Sequence, residues 1–339
     1  MRLSTMFIAF SIRRSVQWLV LMGILLLPGW GAVPVIFDTD MGNDIDDALA
    51  LAMLHSLENR GECKLLGVTL TNANRDAVPY IRMVNRFYGR PAIPVGSATR
   101  VIKDGDRDGF LSVPLKAAPR ELRVTDRRAP ENAVPLLRRL LAESKEKVVI
   151  VQVGFSTNLA ALLDSPPDAI SNFSGLELVR QKVSLLSVMA GNFVETTPEY
   201  NVRLDIPAAQ ALADRWPTPI VFSGFEIGRA LKYPARSIEN DYGYVKWHPI
   251  PVSYAAYQKM PYDRPTWDLT SVLYAVRPDA GYFQLSEPGN VSVDSSTGST
   301  KFTPSASGPH RYLVIPPNGD DRILEALMLL SSEPPRAVK

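Results

Sequence analysis

The chain has 339 residues, 46% hydrophobic and 21% charged, which is enough apolar content for a large core within one α/β domain. A formal charge of +2, with no block of Lys or Arg, argues against partners held by charge; we expect no nucleic acid and take a small molecule as the ligand. Cys63 is the single cysteine, which excludes an intrachain disulfide and leaves it a structural role.

From the amino terminus, Arg2, Arg13 and Arg14 precede an apolar run at 16–27, and small residues follow up to Ala32. This is a signal-peptide pattern, short for a membrane span. The expectation is a signal peptide or N-terminal anchor over residues 1–32 and a single domain over 33–339, exported to a periplasm or secreted. Export without disulfides is compatible with a periplasm.

The domain then opens on an apolar strand at 35–37, a turn at Gly42 and a helix starting at Asp46. Between and around them, Asp38, Asp40, Asp44, Asp46 and Asp47 put five carboxylates into ten residues. Such a cluster repels itself unless a cation neutralises it, and oxygen-only ligands favour a hard ion such as Ca²⁺ or Mg²⁺. A strand end feeding a helix start is also where open α/β sheets bind ligands. An EF-hand loop starting at Asp38 fails, because Asn43 and Leu49 stand where Gly and Glu are required. A haloacid dehalogenase-type phosphatase fits Asp38 and Asp40, but Gly42 replaces the expected Thr or Val and the second acidic pair comes too early.

Further along, strand-like runs alternate with helical ones: 64–70 then 78–88, 148–153 then 158–163, 183–189 then 207–213, and 219–222. The pattern predicts a mostly parallel, doubly wound sheet with helices on both faces. Residues 100–128 are charged and aperiodic and read as a long loop near the site, while 290–294 and 298–302 alternate as a C-terminal edge hairpin. Taken alone, Asn74 reads as a turn residue, Thr157 as a helix cap and Glu199 as a loop acid. His55, His248 and His310 read as structural or exposed.

Asp38-Thr-Asp40-Met-Gly42-Asn43-Asp44-Ile-Asp46-Asp47-Ala-Leu-Ala-Leu resembles the N-terminal signature of the nucleoside hydrolases, the inosine-uridine preferring N-ribohydrolases, whose usual form is DTDPG, one residue, then DDALAL. This chain carries two extra residues before Asp46. Four further segments follow in the family's order, around Asn74, Thr157-Asn158, Asn192 to Asn201, and Trp267-Asp268. The resemblance implies a Ca²⁺ site made by Asp40, Asp47, Asp268 and the Thr157 carbonyl, with Asp40 also activating water. Asp38, Asp44 and Asp46 would support it, the role of Asp44 being open. It further implies that Asn74, Asn192, Glu199 and Asn201 grip ribose, although Asn192 is offset by one position.

Trp267 stands where some members carry the His that protonates the leaving base; purine-specific members carry Trp there and stack it on the base. The implied activity is Ca²⁺-dependent hydrolysis of a purine ribonucleoside, with solvent supplying the proton. Two other readings stay open, a hydrolase of another ribose-like glycoside and a calcium-dependent nucleoside- or sugar-binding protein without turnover. A homodimer or homotetramer is compatible with the resemblance. Residues 96–128 and 239–263 match no part of the pattern, and substrate choice is expected to reside there.

Overall fold

A computed structural model describes residues 31–98, 100, 102, 109–125 and 129–336. Residues 1–30 of the expected signal segment lie outside the described residues, as do 101, 103–108 and 126–128 of the loop at 100–128. Among the described residues no helix is long and apolar enough to cross a membrane.

In chain order the strands are β1 (Val33–Thr39), β2 (Cys63–Leu70), β3 (Val95–Ser97), β4 (Glu131–Asn132), β5 (Val148–Gln152), β6 (Val183–Met189) and β7 (Ile220–Ser223). A short pair, β8 (Lys232–Tyr233) and β9 (Arg264–Pro265), stands apart. The C-terminal strands are β10 (Gln284–Leu285), β11 (Gly289–Val293), β12 (Thr300–Pro304) and β13 (His310–Val314). Across the main sheet the order is β12-β11-β13-β7-β6-β5-β1-β2-β3-β4, and every pairing from β13 to β4 is parallel. The α/β architecture read from the sequence is therefore present, with an antiparallel β11–β12 hairpin at one edge. Its second strand begins at Thr300, two residues later than the alternation suggested.

Strand β1 is the origin of the whole arrangement. From it the chain winds outward through β2, β3 and β4, then returns to its other side at β5 and winds the opposite way through β6 and β7. The loops leaving the carboxyl ends of β1 and β5 therefore diverge, opening the crevice in which doubly wound sheets take their ligands. Both strands are buried runs rather than alternating ones, as a sheet covered on both faces requires.

The helix Asp46–Asn59 that follows β1 is buried from Asp46 to Leu57 and packs against the helices Trp267–Val276 and Asp320–Ser332. A helix apolar all round belongs inside a core, and its polar residues must find internal partners. His55 pairs with Asn85 through Nε2 at 2.9 Å, and the Ser56 hydroxyl donates to the Ala52 carbonyl at 3.1 Å. The other two histidines are also buried: Nδ1 of His248 accepts the Ile250 amide and Nδ1 of His310 accepts the Val291 amide. The segment expected as a loop is more ordered where described. It contains a helix Ser112–Ala117 and a short 3₁₀ turn, because Phe110, Leu111 and Ala118 are buried in the core.

Candidate active site

The acidic loop starts as β1 ends. Asp38 lies between Thr69 of β2 and Gln152 of β5 and is buried; it accepts hydrogen bonds from the Thr69 hydroxyl at 2.5 Å and Asn158 Nδ2 at 2.8 Å. Burial lifts its carboxyl to about 7 against the pull of those two bonds. It ties three segments together beneath the crevice rather than facing it. Two residues on, Asp40 lines the crevice. Its backbone is held by Asn72, whose Nδ2 donates to the carbonyls of Asp40 at 2.6 Å and Met41 at 3.3 Å. The turn at Gly42 has φ +104°, open to glycine and costly for other residues.

The end of β5 presses against the same loop. A Cβ on Gly154 would lie 2.4 Å from the Thr71 hydroxyl and 2.6 Å from the Asp40 nitrogen. Gly154→Ala is therefore expected to displace Asp40 and to cost ~1–3 kcal/mol of stability. Thermal melts and turnover measured together check this, and an unchanged melting temperature would show that the contact is soft.

Asp46 and Asp47 occupy the first turn of one helix and Asp268 the first turn of another. Their side chains are buried, and one oxygen from each lies within 4.8 Å of the others. The Asp268 amide donates to Asp46 Oδ2 at 3.2 Å, and the Thr39 hydroxyl donates to Asp47 Oδ1. Burial, then neighbouring carboxylates, push all three carboxyls well above their ordinary range: Asp44 acts on Asp46, Asp40 on Asp47, and Asp46 on Asp268. Two helix N-termini offset part of this repulsion. A group made only of carboxylate oxygens, buried and mutually repelling, fits a hard divalent cation.

The carboxylates floor a cavity of about 530 Å³ whose other walls include Val153, Met189, Glu199, Asn201, Phe225, Arg264 and Trp267. Glu199 caps the short helix Tyr200–Leu204 and accepts the amides of Gly191, Asn201 and Val202 at 3.3, 2.8 and 3.1 Å. Burial raises its carboxyl to about 7 despite these bonds. Asn201 commits Nδ2 to the carbonyls of Val153 at 3.0 Å and Met189 at 3.1 Å, joining the ends of β5 and β6.

The family model of the inosine-uridine preferring nucleoside hydrolases matches residues 35–312. The chain belongs to that family. It is 28% identical over 221 residues to the pyrimidine-specific ribonucleoside hydrolase RihA of Salmonella enteritidis, a match covering 61% of this chain and 65% of the relative's length. Among solved structures it is similar to an inosine-uridine preferring nucleoside hydrolase from Bacillus anthracis, with TM-score 0.69 and 19% identity over 88% of this chain and 99% of that one. A purine-preferring ribonucleoside hydrolase from Gardnerella vaginalis gives TM-score 0.66 and 17% identity over 88% and 98% of the two chains.

Against the nucleoside hydrolase pattern, Asp40, Asp47, Glu199, Asn201, Trp267 and Asp268 come together on one cavity, and three other expected residues do not line it. Asn74 lies in a separate cleft with Arg75 and Arg82, packed under Gly42 and accepting the Asp76 amide at 2.9 Å. Asn192 folds back on its own loop, where Oδ1 accepts the amides of Val194 and Glu195 at 3.2 and 2.9 Å. The side chain of Thr157 donates to Asp205 and borders a third cleft. Asp46, expected behind the metal ligands, is instead a member of the converging trio. Asp44, whose role the sequence left open, pairs with Arg264 across 220 residues. Trp267 donates from Nε1 to the Phe225 carbonyl at 2.9 Å, and the two rings stack with centres 5.4 Å apart.

Proposed function

We propose that this chain hydrolyses the N-glycosidic bond of a purine ribonucleoside to free base and ribose, with Ca²⁺ at the carboxylate cluster. The observation that carries the reading is the convergence of Asp46, Asp47 and Asp268, with Asp40 beside them, on one cavity of about 530 Å³. That volume falls within the usual range for small-molecule sites, roughly 300–1,000 Å³. Asp40, Asp47 and Asp268 would hold the ion, joined on geometric grounds by Asp46; the Thr157 carbonyl is added by the family resemblance alone, since Thr157 does not line the cavity. When bound, calcium supplies charge that makes a water more acidic and orients the sugar diol.

The chain's own residues carry the remaining tasks. Cleavage passes through a sugar with oxocarbenium character, so it needs a nucleophilic water, a fixed sugar and a departing base. Asp40 takes the proton of the attacking water. Glu199 and Asn201, each locked by backbone bonds and lining the same cavity, fix the ribose hydroxyls. Phe225 and Trp267 form the aromatic wall for the base. Incubating the calcium-loaded protein with inosine and assaying for ribose and hypoxanthine tests the reading. Tight binding with neither product formed favours the binding-protein alternative and overturns it.

The purine preference rests on that wall. Trp267→Ala is expected to lower kcat/KM on inosine about ten- to a hundredfold, because stacking is worth roughly 1–3 kcal/mol per base, and to act less on uridine. Parallel kinetics on the two nucleosides decide it. Equal wild-type rates, with the variant indifferent on both, make Trp267 a packing residue.

A further inference from the structure

Breaking the bond between C1′ and the base nitrogen sends an electron pair onto the base, which leaves poorly without help. The histidine some relatives carry for this is replaced by Trp267, and none of His55, His248 and His310 lines the cavity. A cation with donors to spare does line it. Arg264 stands beside Trp267, its guanidinium carbon 5.3 Å from the Trp267 ring centre and 5.1 Å from that of Tyr257. Nε of Arg264 donates to Asp44 Oδ1 at 2.9 Å and Nη2 donates to Asp44 Oδ2. This two-pronged pair uses one edge of the guanidinium fork and does not engage Nη1, whose two N–H groups are further donors on a residue that lines the cavity. The aromatic contacts and the carboxylate together fix the plane of the fork, so its donors are oriented before substrate arrives. The anchoring carboxylate, Asp44, falls within the two-residue insertion that sets this loop apart from the usual family signature.

Resting on the hydrolase reading, we propose that Arg264 is a catalytic residue for base departure, its Nη1 donating to an acceptor on the base and stabilising the negative charge that develops there. The water oxygen bonds to C1′ as the bond from C1′ to the base nitrogen breaks. One water proton passes to the Asp40 carboxylate, and the electron pair leaves with the base. The anionic base then takes a proton from solvent, and Asp40 returns its own to solvent. Arg264 keeps its protons throughout, as a guanidinium does at any working pH. A cation fixed at this position opposes protonation of the base before bond breaking, since like charges repel, and favours departure as an anion held by hydrogen bonds.

The test compares two substrates on the calcium-loaded enzyme, inosine and p-nitrophenyl β-D-ribofuranoside, whose nitrophenolate leaves without assistance. Arg264→Gln is expected to lower kcat on inosine by about 100- to 1,000-fold, the usual effect of removing one such donor, with little change in KM. On the nitrophenyl riboside the same variant is expected to keep nearly full activity, which also shows that it is folded. Arg264→Lys should fall between the two on inosine, since it restores charge without the fork. Equal loss on both substrates, or no loss on either, overturns the assignment and leaves Arg264 a structural partner of Asp44. Wild-type protein inert on both substrates overturns the hydrolase reading itself.

Discussion

Asp40→Asn is expected to leave the protein folded and to lower turnover by about a thousandfold or more, since it removes the proposed general base and a carboxylate beside the proposed cation site together. That loss corresponds to about 4 kcal/mol of transition-state stabilisation. The fold should survive because the loop is fixed through the backbone: Asn72 grips the Asp40 and Met41 carbonyls, and neither bond involves the side chain replaced. The amide is nearly isosteric and takes away a charge that acts on Asp47 and Asp268, so the metal-free variant should be no less stable than the parent. Turnover on inosine and a chelated thermal melt, measured on the same preparation, test both halves. Turnover near that of the wild type would remove Asp40 from the mechanism.

Removing the cation should be equally severe. Calcium is expected at about one ion per chain, and exhaustive chelation should abolish turnover and lower the melting temperature. The stability loss should depend on pH in a defined direction. Asp46, Asp47 and Asp268 have carboxyls raised well above their ordinary range by burial and by one another. Below that ordinary range these groups are protonated in both folded and unfolded chains and cost nothing. As pH rises, the unfolded chain ionises first while the folded chain retains its protons, so the stability of the metal-free protein falls toward neutrality. A bound cation displaces those protons and removes the penalty. The gap between the melting temperatures of calcium-loaded and chelated protein should therefore widen between about pH 5 and pH 8. A gap that is constant or narrows over that interval would place the cation elsewhere.

Much of this site was legible in the sequence because its charges are local. Asp38 to Asp47 sit on one strand-turn-helix connection, and the repulsion among them signals a cation without any knowledge of the fold. Glu199, Asn201 and Asp268 carry no such local signal and were legible only through the resemblance to the nucleoside hydrolases; read alone, Glu199 is a loop acid. The asparagines were harder. Asn72 and Asn74 are two residues apart after the same strand, and only tertiary packing decides that Asn72 holds the acidic loop while Asn74 turns to another cleft. Asn192 is claimed by its own loop's amides, the local competition to which short polar side chains are prone. Arg264 was invisible for a different reason. Its partner lies 220 residues away, and neither the periodicity around it nor the spacing of charges shows that it reaches Asp44.

The hydrogen bond from the Asp268 amide to Asp46 spans 222 positions. The acidic loop near the start of the domain and the helix near its end thus have no mutual contact until most of the intervening chain has been placed. The repulsion among Asp40, Asp44, Asp46 and Asp47 is local to that segment, and docking of the late helix buries a further carboxylate, Asp268, against it, so the electrostatic cost grows at that step. An ion that offsets this cost is expected to slow opening of the finished domain more than it speeds first assembly of the sheet around β1, which unfolding and refolding rates with and without calcium measure.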